Sequence, residues 1–189
     1  MQQLSPKSIL VLGAGLSSSS LIRYMLERSS EFNWKIKVVD RDLDLVKQKI
    51  AGHENGEAAV FNAIDSEQRK PEIEKSDLVI SMLPARFHYE VALDCIELKT
   101  DLITPSYISE EMRSLDQKAK DAGIVIMNEI GVDPGLDHMS AMKIIHSVQS
   151  RGGKVTSFKS FCGGLIAPES DDNPWNYKFT WNPRNVVLA

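Results

Sequence analysis

Six short apolar runs, spaced by stretches of helical periodicity, constrain this chain more than any other feature. The runs are SILVLG (8–13), KIKVVD (35–40), AAVFN (58–62), DLVISML (77–83), LITPS (102–106) and IVIMN (124–128). Between them, Leu21, Ile22, Met25 and Leu26 recur at helical spacing, as do Leu43, Val46 and Ile50, then Val91, Leu93 and Ile96, then Met112, Leu115 and Ala119. Apolar runs read as buried strands and the periodic stretches as amphipathic helices. Parallel strands need crossover connections, so this alternation predicts an α/β fold: a parallel sheet with helices on both faces.

The first strand runs straight into VLGAGLSSSS (11–20) and then into a helix. Gly13 permits a tight turn there, and Gly15 lets a pyrophosphate approach the backbone. The helix start adds free N–H groups and a partial positive charge. Ser18 stands where the dinucleotide fingerprint has its third glycine. It is small enough for close helix–strand packing, and its hydroxyl could also bond a phosphate. This context makes the sheet a Rossmann-type, doubly wound one over residues 1–130. Asp40 closes the second strand, 25 residues after Gly15. A carboxylate there accepts from ribose hydroxyls and favours NAD, while Arg41 and Arg23 offer guanidiniums to the extra phosphate of NADP.

Ligands of open parallel sheets bind beyond the carboxyl ends of the strands. Three loops emerge at that edge: SMLPARFH (81–88), TPSYIS (104–109) and NEIGVDPGLDH (128–138). They carry Ser106, Tyr107, Asp133, Asp137 and His138 toward the nicotinamide end. Ser109 reads as a helix N-cap with Glu110 and Glu111 in the first turn. His88 and His138 read as structural rather than metal-ligating, and no Cys/His cluster has zinc spacing.

Composition excludes several function classes. The net charge is −4 with no long basic run, which argues against nucleic acid. No stretch approaches the ~18 apolar residues of a membrane span. Two cysteines, Cys95 and Cys162, make no disulfide framework. They are expected as reduced thiols in a cytoplasmic protein without a signal peptide.

After residue 130 the pattern changes. A helix is expected from the 131–138 segment to about Gln149, ended by Gly152-Gly153. Lys154 to Cys162 alternates as a half-buried strand should. The end of the chain within Val186, Val187 and Leu188 suggests a connecting helix and the start of an α+β substrate or dimerisation domain over 131–189, cut short. On that expectation the fragment binds cofactor weakly and does not turn over substrate.

Four strings together resemble one family. They are DLVISMLPARFHYEVALDCI (77–96), ITPSYIS (103–109), DAGIVIMNEIGVDPGLDHMSAMKII (121–145) and SFCGGLIAPESDDNPWNYKFTW (160–181). They resemble saccharopine dehydrogenases of the glutamate-forming type, over nearly the whole chain. Ile166 replaces the proline that usually follows CGGL in that family. The resemblance implies an oxidoreductase of lysine metabolism that uses NAD or NADP. Such an enzyme interconverts the small molecule saccharopine with 2-aminoadipate 6-semialdehyde and glutamate. It implies cofactor contacts at Gly13, Gly15, Ser18, Asp40, Leu83, Pro105, Ser106, Val132, Asp133 and Pro134. It implies substrate contacts at Ser106 and Tyr107, and places Tyr107, Asp133 and Cys162 near the reacting carbon. Two other readings stay open: a carboxynorspermidine dehydrogenase-like reductase, and a non-catalytic NAD-binding module. The oligomeric state is open too, a homodimer among the options.

Overall fold

A computed structural model describes residues 5–179. Six strands form one sheet: β1 (Lys7–Leu12), β2 (Trp34–Asp40), β3 (Gly56–Val60), β4 (Leu78–Ser81), β5 (Asp101–Ile103) and β6 (Ile126–Met127). Their order is β3-β2-β1-β4-β5-β6, and every pairing is parallel. The order reverses beside β1, which creates a crevice at the carboxyl end of β1 and β4. Helices α1 (Ser19–Phe32), α2 (Leu43–Ile50), α3 (Ser66–Ile73), α4 (His88–Leu98), α5 (Glu110–Arg113) and α6 (Asp116–Ala122) make the crossovers.

The strand period of two splits the core. Ile9 and Val11 of β1 face one side and Leu10 and Leu12 the other. On the first side, Ile36, Val38 and Ile80 join them against Ile22, Met25 and Leu26 of α1 and Val46 and Ile50 of α2. On the second, Val39, Val79 and Leu102 meet Val91, Ala92 and Cys95 of α4, with Ile73, Met112 and Leu115. Both faces of β1 are therefore apolar, as expected of a central parallel strand.

The strands lie where the apolar runs place them, with shifted ends. The third spans 56–60 rather than 58–62, and the fifth stops at Ile103, before Pro105. The sequence carries no apolar signal for α3, whose residues SEQRKPEI are polar and include Pro71. Its buried face is Ile73 and Arg69, and Arg69 is 1% exposed. The Arg69 guanidinium is neutralised by Asp94 of α4, its Nε donating at 2.8 Å. It also donates to the carbonyls of Ala63 (2.7 Å) and Ile64 (3.1 Å).

Beyond the sheet, α7 (Leu136–Ser150) forms as expected and ends before Gly152, whose φ is +77°. The strand expected over 154–162 is absent. Strand pairing needs a free edge, and none among the described residues meets this segment, so its alternating side chains stay largely exposed. Trp181 and the run Val186, Val187 and Leu188 lie outside the described residues. Among the described residues no helix is long and apolar enough to cross a membrane.

Candidate functional site

The crevice begins at the glycine loop. Gly13 has φ +104°, and a Cβ there would stand 3.1 Å from the Met82 carbonyl oxygen, so both its conformation and its closeness to the β4 loop require glycine. At Gly15 a Cβ would meet nothing within 4 Å, leaving open space over the backbone. The turn Leu16–Ser18 leads into α1, whose first turn has no side-chain cap. Just ahead of it, the amides of Gly15, Leu16 and Ser17 have no acceptor among the described residues and are open to an anion, whereas those of Ser18 and Ser19 bond the Gly15 and Leu16 carbonyls.

Three side chains fasten this loop. Ser18 is buried and donates to the Gly15 carbonyl at 2.8 Å. Its hydroxyl thus serves the packing expectation, facing the loop. Asp40 Oδ2 accepts from Ala14 N at 2.8 Å, and Oδ1 accepts from the amides of Arg41 (2.7 Å) and Asp42 (3.3 Å). Three of the roughly four acceptor positions of this carboxylate are thus occupied by backbone. Lys49, at the end of α2, donates to Ser19 Oγ at 2.8 Å, to Ser18 Oγ at 3.3 Å and to the Gly15 carbonyl. Partial burial lowers its pKa, and the nearby Asp40 charge opposes that shift.

Gly13, Gly15, Asp40 and Leu83 all line one cleft. Phe61, Asn62, Ala63 and Ile64 form its wall after β3, the same segment that Arg69 clamps from behind. Pro84, Arg86 and Phe87 form the wall after β4, with Arg86 over the Phe87 ring at 4.7 Å. Arg41 completes the rim. Neither Arg41 nor Arg86 has an ion-pair partner among the described residues. The cleft therefore presents apolar walls, two guanidiniums and a row of free amides, a donor set that fits a phosphorylated nucleotide.

The second group of expected residues gathers on the loops after β5 and β6. Ile130 N donates to the Thr104 carbonyl (3.2 Å), Glu129 N to that of Ser106 (3.1 Å), and Ile108 N to Glu129 Oε1 (3.1 Å). The two loops are thereby stitched together. Gly131 packs against Pro105, where a Cβ would come 3.0 Å from the Pro105 carbonyl oxygen. Gly131 N donates to the Pro134 carbonyl at 2.8 Å, and the Asp133–Pro134 peptide is cis. Pro134 is buried, while Val132 and Asp133 are exposed at the turn.

This turn delivers Asp133 to Tyr107, whose hydroxyl donates to Asp133 Oδ1 at 3.0 Å. Cys162 is exposed, stands outside any disulfide, and lies close enough to feel the Asp133 charge. The carboxylate raises the pKa of both the Tyr107 phenol and the Cys162 thiol. Both stay protonated at neutral pH and present donors around an acceptor. Burial pushes the other thiol, Cys95, up to about 12 and leaves it inert inside the core. Asp137 supports the start of α7 by accepting from Gly135 N at 2.9 Å and pairs with His138 Nδ1 at 2.7 Å, which raises the His138 pKa. Among the described residues no group of His, Cys, Asp and Glu could hold a metal.

Sequence reasoning missed Lys49, which reaches the glycine loop from α2, and Arg86, which lines the cleft from a loop already placed at the sheet edge but without attention to this residue. Its structural reading of His88 also omitted that ring's contacts with Ser81 and Ser106.

Comparison with known proteins agrees with this geometry. The family description "Saccharopine dehydrogenase NADP binding domain" matches residues 9–127, and "Saccharopine dehydrogenase C-terminal domain" matches residues 131–189. The chain is 44% identical over 186 residues to saccharopine dehydrogenase [NADP(+), L-glutamate-forming] of Pyricularia oryzae, covering 98% of this chain and 40% of that one. It is 39% identical to alpha-aminoadipic semialdehyde synthase of Arabidopsis thaliana, covering 96% of this chain and 19% of that one. The structure of apo saccharopine dehydrogenase (L-Glu forming) from Saccharomyces cerevisiae superposes with a TM-score of 0.80 at 39% identity, covering 97% of this chain and 40% of that one. The chain thus spans about two fifths of the length of its fungal relatives.

Proposed function

This chain belongs to the saccharopine dehydrogenase family, and on that premise we propose that it supplies the cofactor cleft and proton-handling groups of an oxidoreductase that interconverts saccharopine with 2-aminoadipate 6-semialdehyde and glutamate. Residues 131–179 then open the substrate domain. The observation that carries the reading is the Tyr107–Asp133 hydrogen bond at the sheet edge, with the Cys162 thiol within reach of the same negative charge.

NAD(P), when bound, accepts the hydride. The cleft residues orient it: the open amides of Gly15, Leu16 and Ser17 hold the pyrophosphate, and the apolar walls after β3 and β4 enclose the adenosine. We propose NADP as the form used. The sequence-based leaning to NAD needs Asp40 free for ribose hydroxyls, yet that carboxylate braces the loop. Arg41 and Arg86 instead offer two guanidiniums to a 2′-phosphate.

Loss of hydride from the carbon of a secondary amine leaves an imine. Water adds to it, and the carbinolamine breaks its C–N bond to release aldehyde and amine. The exposed Asp133 carboxylate accepts a proton from the amine and, once that proton has passed to solvent, another from the attacking water. Tyr107 and Cys162, both held protonated, pass a proton to the departing nitrogen and recover one from Asp133 or from solvent. General acid–base assistance of this kind contributes ~10²–10⁴-fold. The two free thiols favour a cytoplasmic, reducing setting.

In an assay of saccharopine oxidation by the full-length protein, followed by NADPH absorbance, Asp133→Ala is expected to lower kcat by at least ~10²-fold with NADP affinity retained. Unchanged turnover in that variant would overturn the role given to Asp133.

A further inference from the structure

The end of β4, the start of α4 and the loop after β5 each contribute one polar side chain to a single line. Ser81 Oγ lies 2.9 Å from His88 Nδ1, and His88 Nε2 lies 2.9 Å from Ser106 Oγ. Ser81 is 0% exposed and His88 2%, whereas Ser106 is half-buried, next to Tyr107. Burial keeps the ring neutral, its pKa lowered to about 4. A neutral imidazole has one donor nitrogen and one acceptor.

Ser81 decides which is which. His88 is the sole side-chain partner of Ser81 Oγ among the described residues. A buried hydroxyl proton without an acceptor would be strongly disfavoured. Ser81 therefore donates to Nδ1, the ring proton sits on Nε2, and Nε2–H donates to Ser106. Ser106 then has its own proton left to offer outward.

The half of the sheet around β1, β2 and β3 forms the adenosine side of the cleft. In a doubly wound sheet the other half serves the second mononucleotide, and Ser106 stands on that half. We propose that Ser81 and His88 are positioning residues that hold Ser106 as a hydrogen-bond donor to an oxygen of the nicotinamide half of the bound dinucleotide. This rests on the reading of the cleft as an NAD(P) site. A relay of this kind removes the hydroxyl's freedom to rotate, so the donor is in place before the ligand arrives.

Two measurements test it. In ¹⁵N-histidine-labelled chain without nucleotide, two-bond ¹H–¹⁵N correlations should show His88 neutral at pH 7 and protonated on Nε2. A ring protonated on Nδ1, or charged, would overturn the relay. Nucleotide titrations then compare NADPH with 2′-phospho-ADP-ribose, which lacks the nicotinamide. Ser106→Ala and His88→Asn should each weaken NADPH by about three- to tenfold, the worth of one hydrogen bond, and leave 2′-phospho-ADP-ribose unchanged. Equal loss for both ligands, or loss for neither, would overturn the proposal. If the unsubstituted chain bound neither nucleotide, the NAD(P) reading itself would fall. That failure is distinguishable, because the tautomer is read without nucleotide.

Discussion

Lys49 reaches from α2 to the Gly15 carbonyl and to the hydroxyls of Ser18 and Ser19, and so ties a second element to the phosphate loop. A hydrogen bond involving a charged group contributes more than a neutral one, ~1.5–3 kcal/mol. Lys49→Met is therefore expected to lower the melting temperature and, by loosening the loop, to weaken NADPH binding by roughly tenfold, as read by a melting curve beside a fluorescence titration. Unaltered affinity would show that the loop holds its shape without the lysine. His88 yields a pH prediction. Its pKa falls from 6.5 to about 4 on burial, so between those values the folded state binds fewer protons than the unfolded state. Its contribution is complete above pH 6.5 and is lost as pH drops toward 4, a change of about 3 kcal/mol. Urea unfolding of the wild type at pH 7 and pH 4 should show that loss, and His88→Asn should show a correspondingly smaller one. Tyr107, Asp133 and Cys162 were legible only through their motifs. Lys49 was not legible, because its partners lie 30 to 34 residues away in sequence and no local pattern encodes that meeting.

At the scale of elements, the sheet was readable because each strand carries its own apolar run and each of the larger flanking helices its own apolar stripe. The exception, α3, explains the limit. Its anchoring residue is a guanidinium, and sequence periodicity counts Arg69 as solvent-facing. The Arg69–Asp94 pair joins α3 to α4 out of water and also grips the Ala63 and Ile64 carbonyls of the cleft wall. Removing one partner of a buried pair leaves an uncompensated charge, at ~3–5 kcal/mol. Asp94→Ala should lower unfolding free energy by about that amount, measured by chemical denaturation. A loss below about 1 kcal/mol would mean that the guanidinium is satisfied by the carbonyls alone. The alternation over 154–162 misled for the opposite reason. The period of two is necessary for a half-buried strand, but pairing requires an edge that lies elsewhere in the sequence or outside the described residues.

For the molecule as a whole, the parallel order β3-β2-β1-β4-β5-β6 places every group of the site at one edge. The proposed nucleotide cleft lies between the two sheet halves, and the stitched loops after β5 and β6 set Asp133 on the same edge of the sheet. The separation is physical. On the proposed function, nucleotide binding depends on the glycine loop, Asp40, Lys49 and the two arginines, whereas proton handling depends on Tyr107, Asp133 and Cys162. One can be lost without the other. The most direct test of the account is a fluorescence titration of this chain with NADPH and with NADH, alone and with Arg41→Ala plus Arg86→Ala. The account predicts saturable binding of NADPH, weaker binding of NADH, and a double variant that reduces NADPH affinity to the NADH level. Absence of nucleotide binding, or NADH binding as tightly as NADPH in the unsubstituted chain, would contradict it.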